Sequence, residues 1–150
     1  MKIAYKFMKE ALKEAEKAYQ KNEVPIGCVI VCGNKIIAKA HNLRETKNST
    51  LAHAELLAIK KANEKLNSWR LEDCDIYVTL EPCPMCAGAI IQARMRKLYF
   101  STRDFKSGAF GGVFNLNAEK LNHTLEIDCG ILKDESEQLL KKFFTDLRTK

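Results

Sequence analysis

Four side chains in this 150-residue sequence have types and spacing that could do chemistry together: His53, Glu55, Cys83 and Cys86. The two cysteines stand three apart in Glu81-Pro82-Cys83-Pro84-Met85-Cys86, and the histidine lies upstream in His53-Ala54-Glu55. Two thiolates and one imidazole are ligands that zinc favours, and they number one fewer than a closed structural site requires. One coordination position would stay open. Glu55 sits beside the histidine and is not needed as a ligand, which suits it to move protons on and off a water molecule. The outline is a hydrolytic site built on one Zn²⁺.

These residues need elements that bring them together. Ile3, Phe7, Ala11, Ala15 and Tyr19 recur every four residues among lysines and glutamates, the pattern of an amphipathic helix with one stripe on a core. Cys28-Val29-Ile30-Val31-Cys32 and Lys35-Ile36-Ile37-Ala38 read as two strands joined at Gly33-Asn34, a tight-hairpin dipeptide. Cys28 and Cys32 then share a face and read as core thiols. After a polar loop that opens with Asn42, Ser49 or Thr50 is expected to cap a helix running to about Leu66, with Leu56, Ile59 and Leu66 inward. His53 and Glu55, two apart, converge only if both lie in the first turn of that helix.

A strand over Asp75 to Thr79 leads into the cysteine motif. Flanked by prolines, Cys83 is pushed to the extended geometry of an N-cap, Pro84 takes the first helical position and Cys86 the third. Both sulfurs thus sit at the positive end of a helix, which favours thiolates. Lys97 to Ser101 is a further strand, followed by a glycine-rich segment with Gly108, Gly111 and Gly112 that lacks P-loop spacing. Leu125-Glu126-Ile127 reads as a last short strand, and Glu135 to Arg148 as a closing helix in which Phe143 and Phe144 read as core. Helices alternating with strands imply an α/β fold, with helices on both faces of the sheet and an antiparallel hairpin at its start. In such sheets ligands bind beyond the carboxyl ends of strands, where the cysteine motif falls.

The chain suits one domain spanning residues 1–150, being 46% hydrophobic and 29% charged. Its amino-terminal segment is too charged for a signal peptide, and its longest apolar run, from Ile26 to Cys32, is too short for a membrane span. A cytoplasmic protein with no membrane partner is expected, and its six cysteines read as metal ligands and buried thiols rather than disulfides. Cys74 reads as a thiol at the edge of a strand. The net charge of +6 concentrates in the segments Lys35 to Lys47 and Arg94 to Lys106, a pattern that on charge alone fits a polyanion partner and a solvated basic face equally.

H-x-E followed by P-C-x-x-C is the signature of the zinc nucleobase deaminases. Beyond it, Asn42 and the stretches Glu23 to Gly27, Ala52 to Glu55, Tyr77 to Cys83, Met85 to Ala89, Arg103-Asp104, Lys106 to Gly108 and Asn122-His123 resemble bacterial tRNA-specific adenosine deaminases along nearly the whole chain. Ser49-Thr50-Leu51 departs from the Asp-Pro-Thr of many relatives at the helix entry. The resemblance implies a cytidine deaminase-like three-layer α/β/α sandwich around a mixed five-stranded sheet. It also implies conversion of adenosine to inosine at the wobble position of a tRNA anticodon stem-loop, by a homodimer. His53, Cys83 and Cys86 would hold the zinc and Glu55 would be catalytic. Asn42, Ala54, Arg103, Asp104 and Lys106 would contact substrate, Asp104 through a ribose 2′-hydroxyl, with phosphate contacts from both basic segments. Two other readings stand beside this one. A free-base or nucleotide deaminase acting on guanine, cytosine or deoxycytidylate would use the same zinc site, and a catalytically silent zinc- and RNA-binding subunit would have no need of Glu55.

Overall fold

In a computed structural model describing residues 2–148, the elements run in the order α1 (Lys2–Gln20), β1 (Gly27–Cys32), β2 (Lys35–His41), α2 (Ala54–Leu66), β3 (Cys74–Leu80), α3 (Pro84–Gln92), β4 (Lys97–Thr102), a short 3-10 turn (Leu116–Ala118), β5 (Glu126–Cys129) and α4 (Lys133–Arg148). The strands form one five-stranded mixed sheet in the order β2-β1-β3-β4-β5. β1 is antiparallel to both neighbours, whereas β3, β4 and β5 pair in parallel. Since β2 and β3 both oppose β1, four strands point one way and only β1 is reversed. The carboxyl ends of β2, β3 and β4 therefore gather along one end of the sheet.

Helices cover both faces. α1 and α4 pack on one side, where Phe7, Met8 and Ala11 meet Val29, Val31 and Tyr77. α2 and α3 pack on the other, where Ala54, Ala58, Ala87 and Ile90 meet Cys28, Ile30, Ile76, Val78 and Phe100. Cys28 and Cys32 do face the same side. Gly27 lets α1 lie directly on β1, because a Cβ there would collide with the Ala11 carbonyl and the Ala15 amide.

Several expectations shift in register. A four-residue interval advances 400° on a helix and so drifts about 40° per step; the stripe on α1 rolls out at its ends, leaving Ile3 exposed while Phe7, Ala11 and Ala15 are buried. α2 does not start at Ser49 or Thr50. Residues 43–52 are instead tied into turns, with Leu43 N–H donating to Ala52 O (2.9 Å), Lys47 N–H to Leu43 O (2.9 Å) and Ser49 N–H to Arg44 O (3.0 Å), and the cap is His53. Leu66 is exposed and Leu56 half-buried; the inward stripe is Ala54, Ala58 and Ala62 with Ile59, small residues that seat α2 close to the sheet. On α4, Phe143 is buried with its ring edge-on to Tyr19 of α1, 6.2 Å between centroids, whereas Phe144, on the next position round the helix, is 42% exposed. Cys74 is buried at the start of the interior strand β3, opposite Cys32, at the far end of the strand from the cysteine motif.

Candidate active site

Two helix N-termini meet at the carboxyl end of the sheet. His53 is the N-cap of α2, with extended backbone at φ −79° and ψ 148°, and Glu55 is the second residue of that helix. Both side chains therefore project over the helix end, the condition under which residues two apart can converge. Cys83 is the N-cap of α3 at φ −73° and ψ 172°, Pro84 is its first residue, and Cys86 its third. His53 Nδ1 lies 3.7 Å from Cys83 Sγ and 3.4 Å from Cys86 Sγ. All three donor atoms fall within 4.8 Å of one another, and among the described residues no fourth His, Cys, Asp or Glu joins the group.

That geometry fits a tetrahedral cation. Bonds of about 2.05 Å to nitrogen and about 2.3 Å to sulfur, opened to a tetrahedral angle, hold the two donors about 3.6 Å apart, and the observed separations bracket that value. The electrostatics agree. Cys83 is drawn down to about 4, first by the Cys86 thiol that donates to it and then by the His53 ring, against the opposing effect of burial. Cys86 moves upward as the donor of that pair and as a buried group. The Cys83 sulfur in turn raises the basicity of His53.

Glu55 is 4% exposed. Burial pushes its carboxyl up to about 7, opposed by its own backbone N–H; the Cys83 sulfur raises it and the His53 ring lowers it. A carboxyl poised near neutrality can both take and return a proton.

Around these groups lies a cavity of about 550 Å³, the size of a small-ligand site. Asn42, Ala54, Arg103, Asp104 and Lys106 all line it, together with Arg44, Phe105, Leu140 and Phe144. Several of these are already engaged. Asn42 donates from Nδ2 to Val24 O (3.3 Å) and accepts at Oδ1 from Arg44 N–H (3.2 Å), leaving one N–H and one lone pair to face the cavity. Asp104 Oδ1 accepts from Lys106 N–H (2.9 Å) and Ser107 N–H (3.2 Å), and Oδ2 from Ser107 Oγ (2.8 Å). Arg103 bonds to the Phe110 carbonyl (3.0 Å) and lies over the Phe100 ring, so its guanidinium braces the loop as well as lining the cavity. Of the basic segments, only Arg44, Arg103 and Lys106 reach this cavity. Arg96 pairs bidentately with Asp75 (2.9 and 2.8 Å) at the opposite end of the sheet, beside Lys97 at the start of β4. The concentration of charge along the chain is thus divided between the two ends of the sheet.

Two buried carboxylates that sequence reasoning assigned no role hold the cavity walls. Glu23 accepts from the amides of Glu45 (3.1 Å) and Thr46 (2.6 Å), fixing the turns that carry Arg44. Glu81 accepts from the amides of Asp104 (3.0 Å), Phe110 (2.8 Å) and Gly112 (2.9 Å), fixing the opposite wall. Gly108 and Gly112 explain themselves in this light, since a Cβ on either would run into the Glu81 carboxylate. The only sign in the sequence was the glycine cluster itself, with nothing to say what approached it.

The model of the MafB19-like deaminase family matches residues 4–148. A tRNA-specific adenosine deaminase of Bacillus subtilis is 51% identical over 145 residues, spanning 96% of this chain and 90% of the relative. The chain belongs to this deaminase family. A further tRNA-specific adenosine deaminase, from Aquifex aeolicus, is 48% identical over 95% of this chain and 94% of its own length. A structure solved in work on A-to-I editing by tRNA:A34 deaminases at the wobble position of transfer RNA is 41% identical. It matches with a TM-score of 0.85 over 89% of this chain and 98% of the other. The deaminase fold expected from sequence is thereby the fold observed, with the family's cysteine motif at the carboxyl end of β3.

Proposed function

We propose that this deaminase converts adenosine to inosine at the wobble position of a tRNA anticodon stem-loop, with one zinc held by His53, Cys83 and Cys86 and with Glu55 as the catalytic proton carrier. The observation that carries the reading is the meeting of the N-termini of α2 and α3, which sets a buried carboxyl beside three donors spaced for a tetrahedral ion. When bound there, zinc supplies the Lewis acidity that acidifies a water molecule.

The chain's own groups do the rest. Glu55 takes a proton from the attacking water and delivers it to N1 of the ring as oxygen adds at C6; it then takes the remaining proton of the new C6 hydroxyl and passes it to the amine, which leaves as ammonia while the C6 carbonyl of inosine forms. The single free N–H and lone pair of Asn42 orient the nucleotide, and Ala54 packs at the floor beside the first-turn amides of α2. Arg44 and Lys106 meet the phosphates on either side. Asp104 keeps one lone pair on Oδ2 beyond its turn contacts, enough to accept from a ribose 2′-hydroxyl.

This last role gives a clean test. Asp104→Asn retains Oδ1 for the turn and converts the other position to a donor, so the ratio of RNA to DNA turnover should fall by about tenfold, the worth of one hydrogen bond to a charged group. Parallel single-turnover assays on ribose and deoxyribose versions of the same loop measure it, and an unchanged ratio removes Asp104 from sugar recognition.

The reading as a whole is tested by incubating the zinc-loaded protein with an anticodon stem-loop bearing adenosine at the wobble position, alongside free guanine and free cytidine. Inosine is expected from the stem-loop only. Comparable turnover of guanine would move the assignment to the free-base deaminases. We read the working unit as a cytoplasmic homodimer of single-domain subunits, consistent with the exposed apolar side chains Val113, Phe114 and Leu121; no described helix is long and apolar enough to cross a membrane.

A further inference from the structure

One side chain at the cavity rim is unused by the chemistry above. Phe105 lines the cavity between Asp104 and Lys106 and is 77% exposed, the most exposed large apolar side chain among the described residues. An exposed phenyl ring on a slack loop would fold back on the nearest apolar surface. Here the backbone on both sides is held. The Asp104 amide is bonded to Glu81, the Asp104 carboxylate takes the amides of Lys106 and Ser107, and Gly108 N–H donates to the Asp104 carbonyl at 2.8 Å. The ring is thus presented outward on a fixed turn, and among the described residues no other ring pairs with it.

We propose that Phe105 is a stacking platform for an unpaired base adjacent to the nucleotide being deaminated. The inference rests on the RNA reading above and goes beyond it by naming how a flanking base is held. For adenine to reach the three donors it must leave its stack, which strips its neighbour of a partner. An aromatic face at the mouth of the cavity replaces that lost stacking, as aromatic side chains do for single-stranded RNA. The charge around it matches this occupant. Arg44 and Lys106 line the same cavity, while the acids nearest the rim, Glu81 and Asp104, are committed to backbone amides. Phe144, 42% exposed, and Leu140 line the same cavity from α4 and add apolar surface to it.

The test compares wild type with Phe105→Ala, Phe105→Leu and Phe105→Trp, all zinc-loaded, on the stem-loop and on stem-loops with an abasic site on either side of the target. Phe105→Ala should raise KM between about five-fold and about a hundred-fold, the range of one base–aromatic stack, with the loss falling on KM rather than kcat and with zinc content unchanged. Phe105→Trp should restore KM and Phe105→Leu should not. An abasic site on one side should weaken wild type by a similar factor and leave Phe105→Ala almost indifferent. An unaltered KM in Phe105→Ala, equal abasic penalties in both proteins, or full rescue by leucine each overturns the platform. A fall in sedimentation mass on Phe105→Ala with equal abasic penalties reassigns the ring to contact between two copies of the chain. Wild type that makes no inosine from the stem-loop fails the RNA reading itself, whereas normal wild-type turnover with an indifferent Phe105→Ala fails the platform alone.

Discussion

Glu55→Gln is expected to lower stem-loop deamination by about 10²- to 10⁴-fold, the contribution of a positioned general acid–base group, while zinc content and RNA affinity stay at wild-type levels. The amide keeps the volume of the carboxyl, so the packing of this 4%-exposed side chain at the start of α2 is retained. What it loses is the ability to hold a proton and release it. Burial already brings the Glu55 carboxyl up to about 7, within reach of both protonation states at neutral pH, and glutamine has neither. Metal analysis of the purified variant together with single-turnover inosine formation decides the matter. Turnover within tenfold of wild type would take Glu55 out of the reaction; an enzyme that loses zinc as well would make it a metal-site residue.

Cys86→Ala should lose zinc and activity together. The residue is fully buried at the third position of α3, and its sulfur stands 3.4 Å from His53 Nδ1. Removing it leaves one imidazole and one thiolate, too few protein donors for a stable site of this kind. Because ligands that bind only the folded state add to its stability, the variant's thermal midpoint should also fall and should cease to respond to added zinc. Cys74→Ala is the control. Cys74 lies at the opposite end of β3, outside the donor group, so that variant should keep stoichiometric zinc. A Cys86→Ala protein with full zinc content would show that the donor set is something other than His53, Cys83 and Cys86.

The elements that positioned the site were readable where local rules are strict. Pro84 keeps the backbone of Cys83 out of the helical region, and the expected N-cap with Cys86 in the first turn is what the fold contains. Gly33-Asn34 likewise forms the hairpin turn between β1 and β2, with φ of 58° and 60°. Reading failed where the deciding partner was distant. Ser49 and Thr50 look like caps, yet Glu23 and the turns over residues 43–52 claim that segment and delay the helix to His53. The leucines of α2 look inward, but alanines face the sheet because the helix lies close against it.

Residue chemistry alone singled out His53, Cys83, Cys86 and Glu55, four side chains that the fold brings to one place. It also determined the alternation of helices and strands, because period 3.6 and period 2 are properties of short windows. Tertiary structure decided which charges line the cavity. Arg44, Arg103 and Lys106 come to one cavity and Arg96 to the far end of the sheet because four strands share a direction, a relation no local window contains. It likewise decided the work of Glu23 and Glu81. A buried carboxylate is costly until it finds donors, and its donors here are backbone amides more than twenty residues away, brought within 3.1 Å only when the chain has folded.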